Sequence, residues 1–481
     1  MQITKLEPNA IWHHFEAINT IPRASTKEQE IIEFMVAFGK SLSLETSVDA
    51  IGNVIIKKPA TKRKLDARTV VLQGHLDMVH QKEATSNFDF ATQGIEMFVD
   101  GDWVKAKETT LGADNGIGVA AIMAVLSSND LEHPPIEALF TIDEEMGMTG
   151  AMALTNDQLK GSILLNLDSE EDDMITIGCA GGVDVTIDGS YKTELLNAKK
   201  YSLFEIKLSG LTGGHSGVEI HLNQANAIIV LAECLDDLIS KTGCRLHSVN
   251  VGTLTNVIPR NGWAIVAVAK DKSDLFSQAF IAIAEKLKKK YHATDADLRL
   301  AFSKTETTTA VLDVQTQNQL VKAILLTPNG VYSMTEGIAD LVQTSNNIAI
   351  LHIGEGRFHA ACHTRSSVDS ERDELAGKIK DCFSFAEVIE VGPYPGWEPR
   401  PNSELLSLTK KCYEKLNGET PIVKSIHAGL ECGILSGTFP NMQMISFGPN
   451  ILGAHSPEER LQISSTQKFW KLLVKLLKEL D

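Results

Sequence analysis

Residues 69–79 read TVVLQGHLDMV, an apolar run that ends in a histidine and an aspartate two positions apart. A short apolar run followed by glycine is typical of a buried β-strand. The pattern of an apolar run closed by acidic residues recurs in IEALFTIDEE (136–145) and ILLNLDSEE (163–171), and a helical stretch lies between the first two. Strands that alternate with helices predict an α/β layer with a mixed or parallel sheet, whose ligands gather beyond the carboxyl ends of the strands.

The composition is that of a globular enzyme. Of 481 residues, 43% are hydrophobic and 6% aromatic, and 45 basic against 62 acidic residues give a net charge of −17. This length predicts two domains, and the acidic balance argues against nucleic acid or an anionic membrane as the main partner. No run approaches the roughly 20 apolar residues of a membrane span, and no secretion signal is visible. The seven cysteines contain no C-x-x-C pair, and a cytoplasmic location is expected.

The middle of the chain follows a different pattern. Residues 201–303 predict the order β-α-β-β-α-β, and a weaker second copy follows over 314–391. The stretch WAIVAVAKDKSDLFSQAFIAIAEKL (263–287) is similar to FHAACHTRSSVDSERDELAGKIKDCF (358–383), which favours an internal duplication. A chance similarity between alternating elements is the alternative. The Pro- and Gly-rich segment 391–404 predicts a linker.

These patterns together predict an interrupted catalytic domain. We expect its two parts over residues 1–183 and 395–481, with an inserted α+β lid domain over 184–394 that contains the two β-α-β-β-α-β halves.

Acidic residues or histidine directly follow apolar runs in five segments. They are GHLDMV (His75, Asp77), TTLGADNGIG (Asp114), TIDEEMG (Asp143, Glu144, Glu145), LLNLDSEE (Asp168) and GPNILGAHSPEE (His455). Each segment alone is a weak signal, because a single Asp or His at a strand end is more often a cap. Together they indicate a metal site, because converging carboxylates repel one another unless a cation holds them. Histidine and carboxylates without cysteine suit zinc, cobalt or manganese in a hydrolytic site, and the count suffices for two metals about 3.5–4 Å apart.

This combination of motifs, with GGHSG and a late H-S-P, resembles the di-zinc dipeptidase and aminoacylase family of metallopeptidases. CAGG, TPNGV, IHAGLECG and PYPGW are similar to its aminoacyl-histidine dipeptidase branch, which cleaves carnosine-like substrates. The resemblance covers nearly the whole chain and is weakest over about 270–325. It implies two divalent metal ions per chain, with zinc expected first and cobalt or manganese as alternatives.

The resemblance also implies a role for each candidate ligand. Asp114 would bridge the two metals. His75 and Asp168 would complete one metal site, and Glu145 and His455 the other.

Two further residues would act beside the metals. Asp77 would accept the second ring proton of His75, and a solvated turn residue is the alternative. Glu144 would be the general base towards a metal-bridging water, and a solvated acidic cap over the Asp-Glu-Glu run is the alternative. The resemblance also implies a cis peptide bond between Asp114 and Asn115.

Substrate-binding residues are expected in the lid. His215 in GGHSG resembles the histidine that stabilises the oxyanion, against an incidental histidine in a glycine-rich turn. Arg365 in ACHTRSS lies where the family binds the substrate carboxylate, against a surface arginine on an edge strand. Asn256 and Arg260 in TNVIPR are further candidates. The segment IHAGLECG carries an exposed-looking histidine and glutamate, which the resemblance places beside the substrate.

The function expected from these residues is metal-dependent hydrolysis of small dipeptides, Xaa-His dipeptides such as carnosine included. The alternatives are an N-acyl amino acid deacylase or a tripeptidase on the same fold, and a non-catalytic metal-binding scaffold. We expect a homodimer, with a site completed inside one chain by the duplicated lid as the alternative. Neither nucleic acid nor membrane is expected as a partner.

Overall fold

The structure, a computed structural model, describes residues 2–306, 310–336 and 341–481. The chain divides into two compact units. Unit 1 consists of Met1–Cys179, Trp397–Ser425 and Leu430–Asp481, and unit 2 of Ala180–Gly396 and Ile426–Gly429. Sequence reasoning placed the boundaries after residues 183 and 394, and it assigned no late segment such as 426–429 to the lid.

Helices and strands both occur in each unit. The helices, in chain order, are α1 Asn9–Asn19, α2 Gln29–Ser41, α3 Ala113–Ser127, α4 Thr149–Met152, α5 Ala227–Thr242, α6 Ser273–Tyr291, α7 Val314–Leu326, α8 Asp369–Cys382, α9 Glu404–Asn417, α10 Glu431–Thr438 and α11 Ile463–Glu479. The strands are β1 Glu45–Val48, β2 Val54–Lys58, β3 Val70–His75, β4 Met97–Asp100, β5 Trp103–Ala106, β6 Ile136–Thr141, β7 Ile163–Asn166, β8 Met174–Cys179, β9 Gly181–Ser190, β10 Thr193–Leu195, β11 Tyr201–Ser209, β12 Gly214–His215, β13 Arg245–Val251, β14 Val257–Ile258, β15 Gly262–Ala269, β16 Arg299–Thr305, β17 Ala310–Leu312, β18 Gly330–Met334, β19 Val342–Gly354, β20 Arg357–Ser366, β21 Glu387–Tyr394, β22 Ile422–Ile426, β23 Gln443–Ser446, β24 Ile451–Leu452 and β25 Arg460–Gln462.

The core of unit 1 is a mixed sheet in the order β1-β2-β6-β3-β7-β23-β8-β22. Strand β3 runs parallel to β6 and β7, whereas β2 runs antiparallel to β6. The expectation of a mixed α/β sheet is therefore confirmed. All residues of β3, β6 and β7 are buried, which explains their near-continuous apolar sequences. The register pairs His75 with Thr141, so β3 and β6 end level with each other.

Unit 2 is built on an antiparallel sheet in the order β16-β11-β15-β13-β19-β20-β9-β21, with β18 added beside β19. Reading outward from the β13–β19 pair, each half contains four strands. The chain order is β11-α5-β13-β15-α6-β16 in one half, and in the other β9 is followed by α7-β19-β20-α8-β21. This equivalence supports the internal duplication. The first strand of the second half escaped sequence reasoning because β9 precedes the first half in the chain.

The linker is shorter than its composition predicted. Strand β21 continues to Tyr394 and pairs it with Gly182 of β9. The prediction of a linker over 391–404 was therefore wrong for its first residues, because ladder pairing with β9 outweighs the local Pro and Gly signal.

Candidate active site

The site in unit 1 begins where β3 and β6 end. After β6 the chain leaves the strand conformation, and Asp143 has a left-handed φ of 54°. The amide N–H of Gly147 donates to the carbonyl of Asp143 at 3.2 Å, which closes a turn around Glu144 and Glu145. A turn, unlike a regular strand, lets these consecutive glutamates point in different directions.

Asp114 occupies the middle of the candidate metal centre. Its Oδ1 lies 3.2 Å from Nε2 of His75, and its Oδ2 lies 3.1 Å from Nε2 of His455. Oδ1 of Asp168 is 3.3 Å from the His75 nitrogen, and Oε2 of Glu145 is 3.0 Å from the His455 nitrogen. The five side chains therefore form two groups that share Asp114. In each group the possible ligand atoms lie within 4.8 Å of one another.

These residues fit divalent cations by chemistry as well as by position. The set of two histidines and three carboxylates is one that zinc, cobalt and manganese bind in hydrolytic sites. Among the described residues, no donor forms a hydrogen bond with the buried Oε1 of Glu145, and the neighbour of Oδ1 of Asp168 is the ring nitrogen of His75, itself a candidate ligand. A buried carboxylate oxygen is costly without a partner, so Oε1 of Glu145 is suited to a cation.

The electrostatics also indicate cations. Burial, with the charges of Asp114 and Glu145, raises the pKa of Asp168 to about 7. Hydrogen bonds with Asp114 and Glu145 raise the pKa of His455 to about 11. Burial, with the charges of Asp168 and other carboxylates, raises the pKa of Glu144 well above its ordinary value. The carboxylates of the cluster thus carry more negative charge than its two histidines can neutralise, a condition that favours bound metal ions.

The adjacent glutamates differ in their surroundings. A third group of possible ligand atoms combines His75 with both Glu144 and Glu145, so proximity to His75 alone does not distinguish them. Glu145 also approaches His455, and it therefore joins the second group around Asp114.

Asp77 is fully buried behind this cluster. Its Oδ1 lies 3.3 Å from Nδ1 of His75. The amide N–H of Glu144 donates to Oδ1 at 3.1 Å, and that of Glu145 donates to Oδ2 at 3.2 Å. Although burial opposes it, hydrogen bonding with His75 and these amides lowers the pKa of Asp77 to about 2. The alternative of a solvated turn residue is wrong, and sequence reasoning missed the link from Asp77 to the glutamate turn.

Glu431 is a buried acid that sequence reasoning misjudged. The histidine and glutamate of IHAGLECG were expected to be exposed, but His427 is 8% exposed and Glu431 is 0% exposed. Glu431 begins α10 and accepts hydrogen bonds from Gln73 at 2.6 Å and from Thr141 at 2.7 Å. Burial raises the pKa of Glu431 to about 8. The apolar spacing of GLECGIL was the available signal for a packed helix start.

His215 lies in unit 2 on β12, which pairs with β14. Its Nδ1 accepts hydrogen bonds from the amides of Gly217 at 3.0 Å and Val218 at 3.2 Å. Burial, followed by the charge of Arg365, lowers the pKa of His215, so the ring is neutral near pH 7. Because Nδ1 is an acceptor, the ring proton is on Nε2, which is therefore a donor.

Arg365 is buried on β20, at only 5% exposure. Strand β20 lies between β19 and β9, so the alternative of a surface arginine on an edge strand is wrong. Its Nη1 donates to the hydroxyl of Tyr394 at 3.3 Å, and the buried Nε has no acceptor among the residues that the structure describes. A Cβ built on Gly217 would lie 3.0 Å from the His215 ring and 3.2 Å from Nε of Arg365, so these two candidates flank one glycine.

The other lid candidates are exposed. Asn256 and Arg260 lie in the segment beside β12, where the Asn256 carbonyl accepts a hydrogen bond from the Ser216 amide at 2.8 Å. Two buried histidines lie near Arg365, of which sequence reasoning missed His363 and expected His427 to be exposed. Nδ1 of His363 lies 2.5 Å from Asp184, and Nε2 of His427 lies 2.7 Å from the Ser345 hydroxyl. Burial, with the charge of Arg365, lowers the pKa of His427 to about 3.

Comparison with known proteins assigns the chain to a family. The profile of peptidase family M20/M25/M40 matches residues 71–479, and the chain belongs to this family. A cytosol non-specific dipeptidase from Escherichia coli (strain K12) is 38% identical over 481 residues, which cover 100% of this chain and 99% of that protein. The crystal structure of the aminoacylhistidine dipeptidase from Vibrio alginolyticus has 37% identity and a TM-score of 0.95, covering 100% and 98% of the two chains.

A more distant structure shows only the fold. The aminopeptidase PepT from Bacillus cereus has a TM-score of 0.58 and 16% identity, covering 98% of this chain and 99% of its own.

The family match and the two dipeptidases confirm the resemblance to the di-zinc dipeptidase and aminoacylase family of metallopeptidases, and the chain is an enzyme of that class. In the part of the chain that the structure describes, no helix has the length and apolar character needed to cross a membrane.

Proposed function

We propose that this enzyme hydrolyses the peptide bond of dipeptides, including Xaa-His dipeptides such as carnosine. The observation that carries the proposal is Asp114, whose two carboxylate oxygens each lie close to a different histidine and which belongs to both groups of possible ligands. The two dipeptidases to which the chain is similar, one non-specific and one an aminoacylhistidine dipeptidase, support the substrate class.

The five residues around Asp114 would hold two divalent cations. His75 and Asp168 would bind one, Glu145 and His455 would bind the other, and Asp114 would bridge them. Such cations polarise a carbonyl oxygen and lower the pKa of a bound water. We infer zinc as the native metal, with manganese and cobalt as the alternatives.

Glu144 is the proposed general base. Its amide is fixed by Asp77, and its carboxyl lies beside the cluster without the contact that Glu145 makes to His455. In this role a carboxylate oxygen of Glu144 accepts a proton from the attacking water. The same group then donates that proton to the nitrogen of the leaving amine. Asp77 holds both His75 and the glutamate turn, and it is therefore proposed to orient the base and a ligand together.

The lid residues are proposed to bind the substrate. Nε2–H of neutral His215 is suited to donate a hydrogen bond to the oxygen that becomes negative in the tetrahedral state. Arg365 has a buried Nε whose hydrogen-bonding capacity is unused within the described chain, and its planar fork suits the terminal carboxylate of a dipeptide. Asn256 and Arg260 are the secondary candidates for contact with the substrate.

The test is turnover by metal-stripped protein to which Zn²⁺, Mn²⁺ or Co²⁺ is returned singly. The substrates should include carnosine, an α-linked Xaa-His dipeptide, a dipeptide without histidine, a tripeptide and an N-acetyl amino acid. We expect metal-dependent cleavage of the free dipeptides. Preferential cleavage of the tripeptide or the acylated amino acid would replace the proposal with a tripeptidase or a deacylase, and metal binding without turnover of any of the five would indicate a scaffold.

We also propose a cytoplasmic homodimer. Equilibrium sedimentation would establish the subunit number, and mixing Glu144→Gln with His215→Ala protein would test sharing of the site. Activity recovered after proven subunit exchange would show that one subunit supplies the lid histidine to another. Absence of recovery would favour the alternative in which the duplicated lid completes the site within one chain.

A further inference from the structure

A buried arginine connects the loops that carry His75 and Asp114. Arg23, at 2% exposure, follows α1 in unit 1. Its Nη1 donates to the carbonyls of Leu76 and Asp77, each at 3.1 Å. Its Nη2 donates to the side chain of Asn19 at 3.1 Å and to the carbonyl of Gly112 at 2.6 Å. One guanidinium thus binds the backbone just after one candidate ligand and just before another.

A buried glutamate binds the second loop from its amide side. Glu459 is 2% exposed, and its two oxygens accept four consecutive backbone N–H groups. Oε2 accepts from Leu111 at 2.7 Å and from Gly112 at 2.9 Å. Oε1 accepts from Ala113 at 2.7 Å and from Asp114 at 3.2 Å. Both carboxylate oxygens are therefore occupied by the segment that ends in Asp114.

The glycines of TTLGADNGIG leave room for this arrangement. A Cβ on Gly112 would lie 2.5 Å from Nη2 of Arg23, and a Cβ on Gly116 would lie 2.6 Å from the same atom. Gly112 also has a left-handed φ of 68°. The guanidinium thus closes both positions to larger residues, which accounts for two of the three glycines of this segment.

We propose that Arg23 and Glu459 are positioning residues that clamp loop 111–114 between them and thereby set the distance between Asp114 and His75. This inference rests on the proposed function, because it assigns the clamp to the metal centre. Asp114 must present one oxygen to each of two sites, so a small rotation of its loop would weaken both. Neither clamp residue is a metal ligand or touches the substrate in this assignment. Each acts through the backbone.

The test compares Glu459→Gln with a matched variant, Glu137→Gln. Glu137 is also buried, and one of its oxygens accepts the amides of Lys160 and Gly161 at 2.8 and 2.9 Å. It lies near the start of β6, whereas the candidate site lies beyond the end of that strand. Both variants lose charge-assisted hydrogen bonds to a loop, so both are expected to lower the melting temperature.

Metal affinity distinguishes positioning from a general structural role. Zn²⁺ and Mn²⁺ dissociation constants are measured on the folded proteins by competition with a chelator. We expect Glu459→Gln to weaken both metals by about 10- to 100-fold and to lower kcat by a similar factor with KM little changed. Glu137→Gln should bind both metals as the parent does. Equal affinities in Glu459→Gln and the parent would overturn the proposal, whatever happens to turnover.

Two more variants keep the test decisive. Arg23→Lys retains the charge but loses the planar fork that spans the two loops, so it should weaken metal binding as Glu459→Gln does. Glu459→Asp keeps the charge and both acceptors on a shorter stem, and it serves as the folded variant if Glu459→Gln does not fold. If Arg23→Lys and Glu459→Asp both bind the metals as tightly as the parent does, the clamp has no positioning role. Failure of the parent itself to bind two metals or to cleave dipeptides would instead refute the proposed function.

Discussion

Replacement of Arg365 by alanine should separate dipeptides with a free carboxylate from those without one. In the proposed complex the substrate carboxylate binds the guanidinium through Nε, which is buried and has no acceptor in the described chain, and through a neighbouring Nη. A hydrogen bond to a charged group contributes about 1.5–3 kcal/mol net. Loss of one or two such bonds, partly replaced by water in the vacated space, corresponds to about 2–4 kcal/mol in kcat/KM, or about 30- to 900-fold.

The assay measures kcat and KM for a free dipeptide and its carboxamide. Arg365→Ala should act mainly on KM for the free dipeptide, while the carboxamide, which has no charge to lose, should change by less than about tenfold. Arg365→Lys should fall between alanine and the parent because lysine keeps the charge without the fork. The control is Arg357→Ala, an exposed position on the same strand, which should leave both substrates unaffected.

One result would refute this reasoning. If Arg365→Ala cleaves the free dipeptide as well as the parent does, the carboxylate is bound elsewhere. Arg260 would then be the next residue to replace.

Three further predictions concern the site and the thiols. Asp114→Ala should abolish turnover and weaken both metals, and elemental analysis that finds two metals per chain in this variant would contradict a bridging role. Glu144→Gln should keep both metals but lose most of kcat with KM little changed; metal loss that excess zinc reverses would instead make Glu144 a ligand. Burial raises the pKa of Cys234 and Cys362 to about 12, so both thiols are protonated at pH 8. They should react with a disulfide reagent only after unfolding. Rapid labelling of the native protein at these two positions would refute their burial.

The centre of the site could be predicted from sequence because its signals are local. His75 and Asp77 stand two residues apart at the end of an apolar run, and in the structure β3 ends at His75 with Asp77 two residues beyond it. The cis peptide bond between Asp114 and Asn115, expected from the resemblance, is also present. Local pattern is informative at this position because a parallel strand ends where its ligand-facing loop begins.

The supporting residues could not be predicted in this way. Arg23 binds the carbonyl of Gly112, 89 positions away, and Glu459 binds the amide of Asp114, 345 positions away. No local sequence pattern predicts such contacts. The residue types favour exposure over burial, because arginine and glutamate are mostly exposed in proteins. The same reason explains the error at Glu431, whose burial depends on Gln73 and Thr141 from other strands.

The partners of the buried carboxylates divide them into two kinds, and this division bears on their roles. Glu459 and Asp77 have both oxygens occupied, mainly by backbone amides, which hold a loop in place without leaving a position for a cation. Glu145 retains a buried Oε1 that no donor in the described chain satisfies, and Oδ1 of Asp168 lies 3.3 Å from Nε2 of the candidate ligand His75. Oε1 of Glu431 and Oδ1 of Asp143 are unpaired as well, but only Glu145 of these three belongs to a group of possible ligand atoms with Asp114 and His455. Because an unpaired buried carboxylate oxygen is costly, metal ligation is the better explanation for Glu145. A carboxylate whose oxygens already accept backbone N–H groups is instead suited to hold a loop in position. Glu459, which accepts four such groups, differs in this way from Glu145.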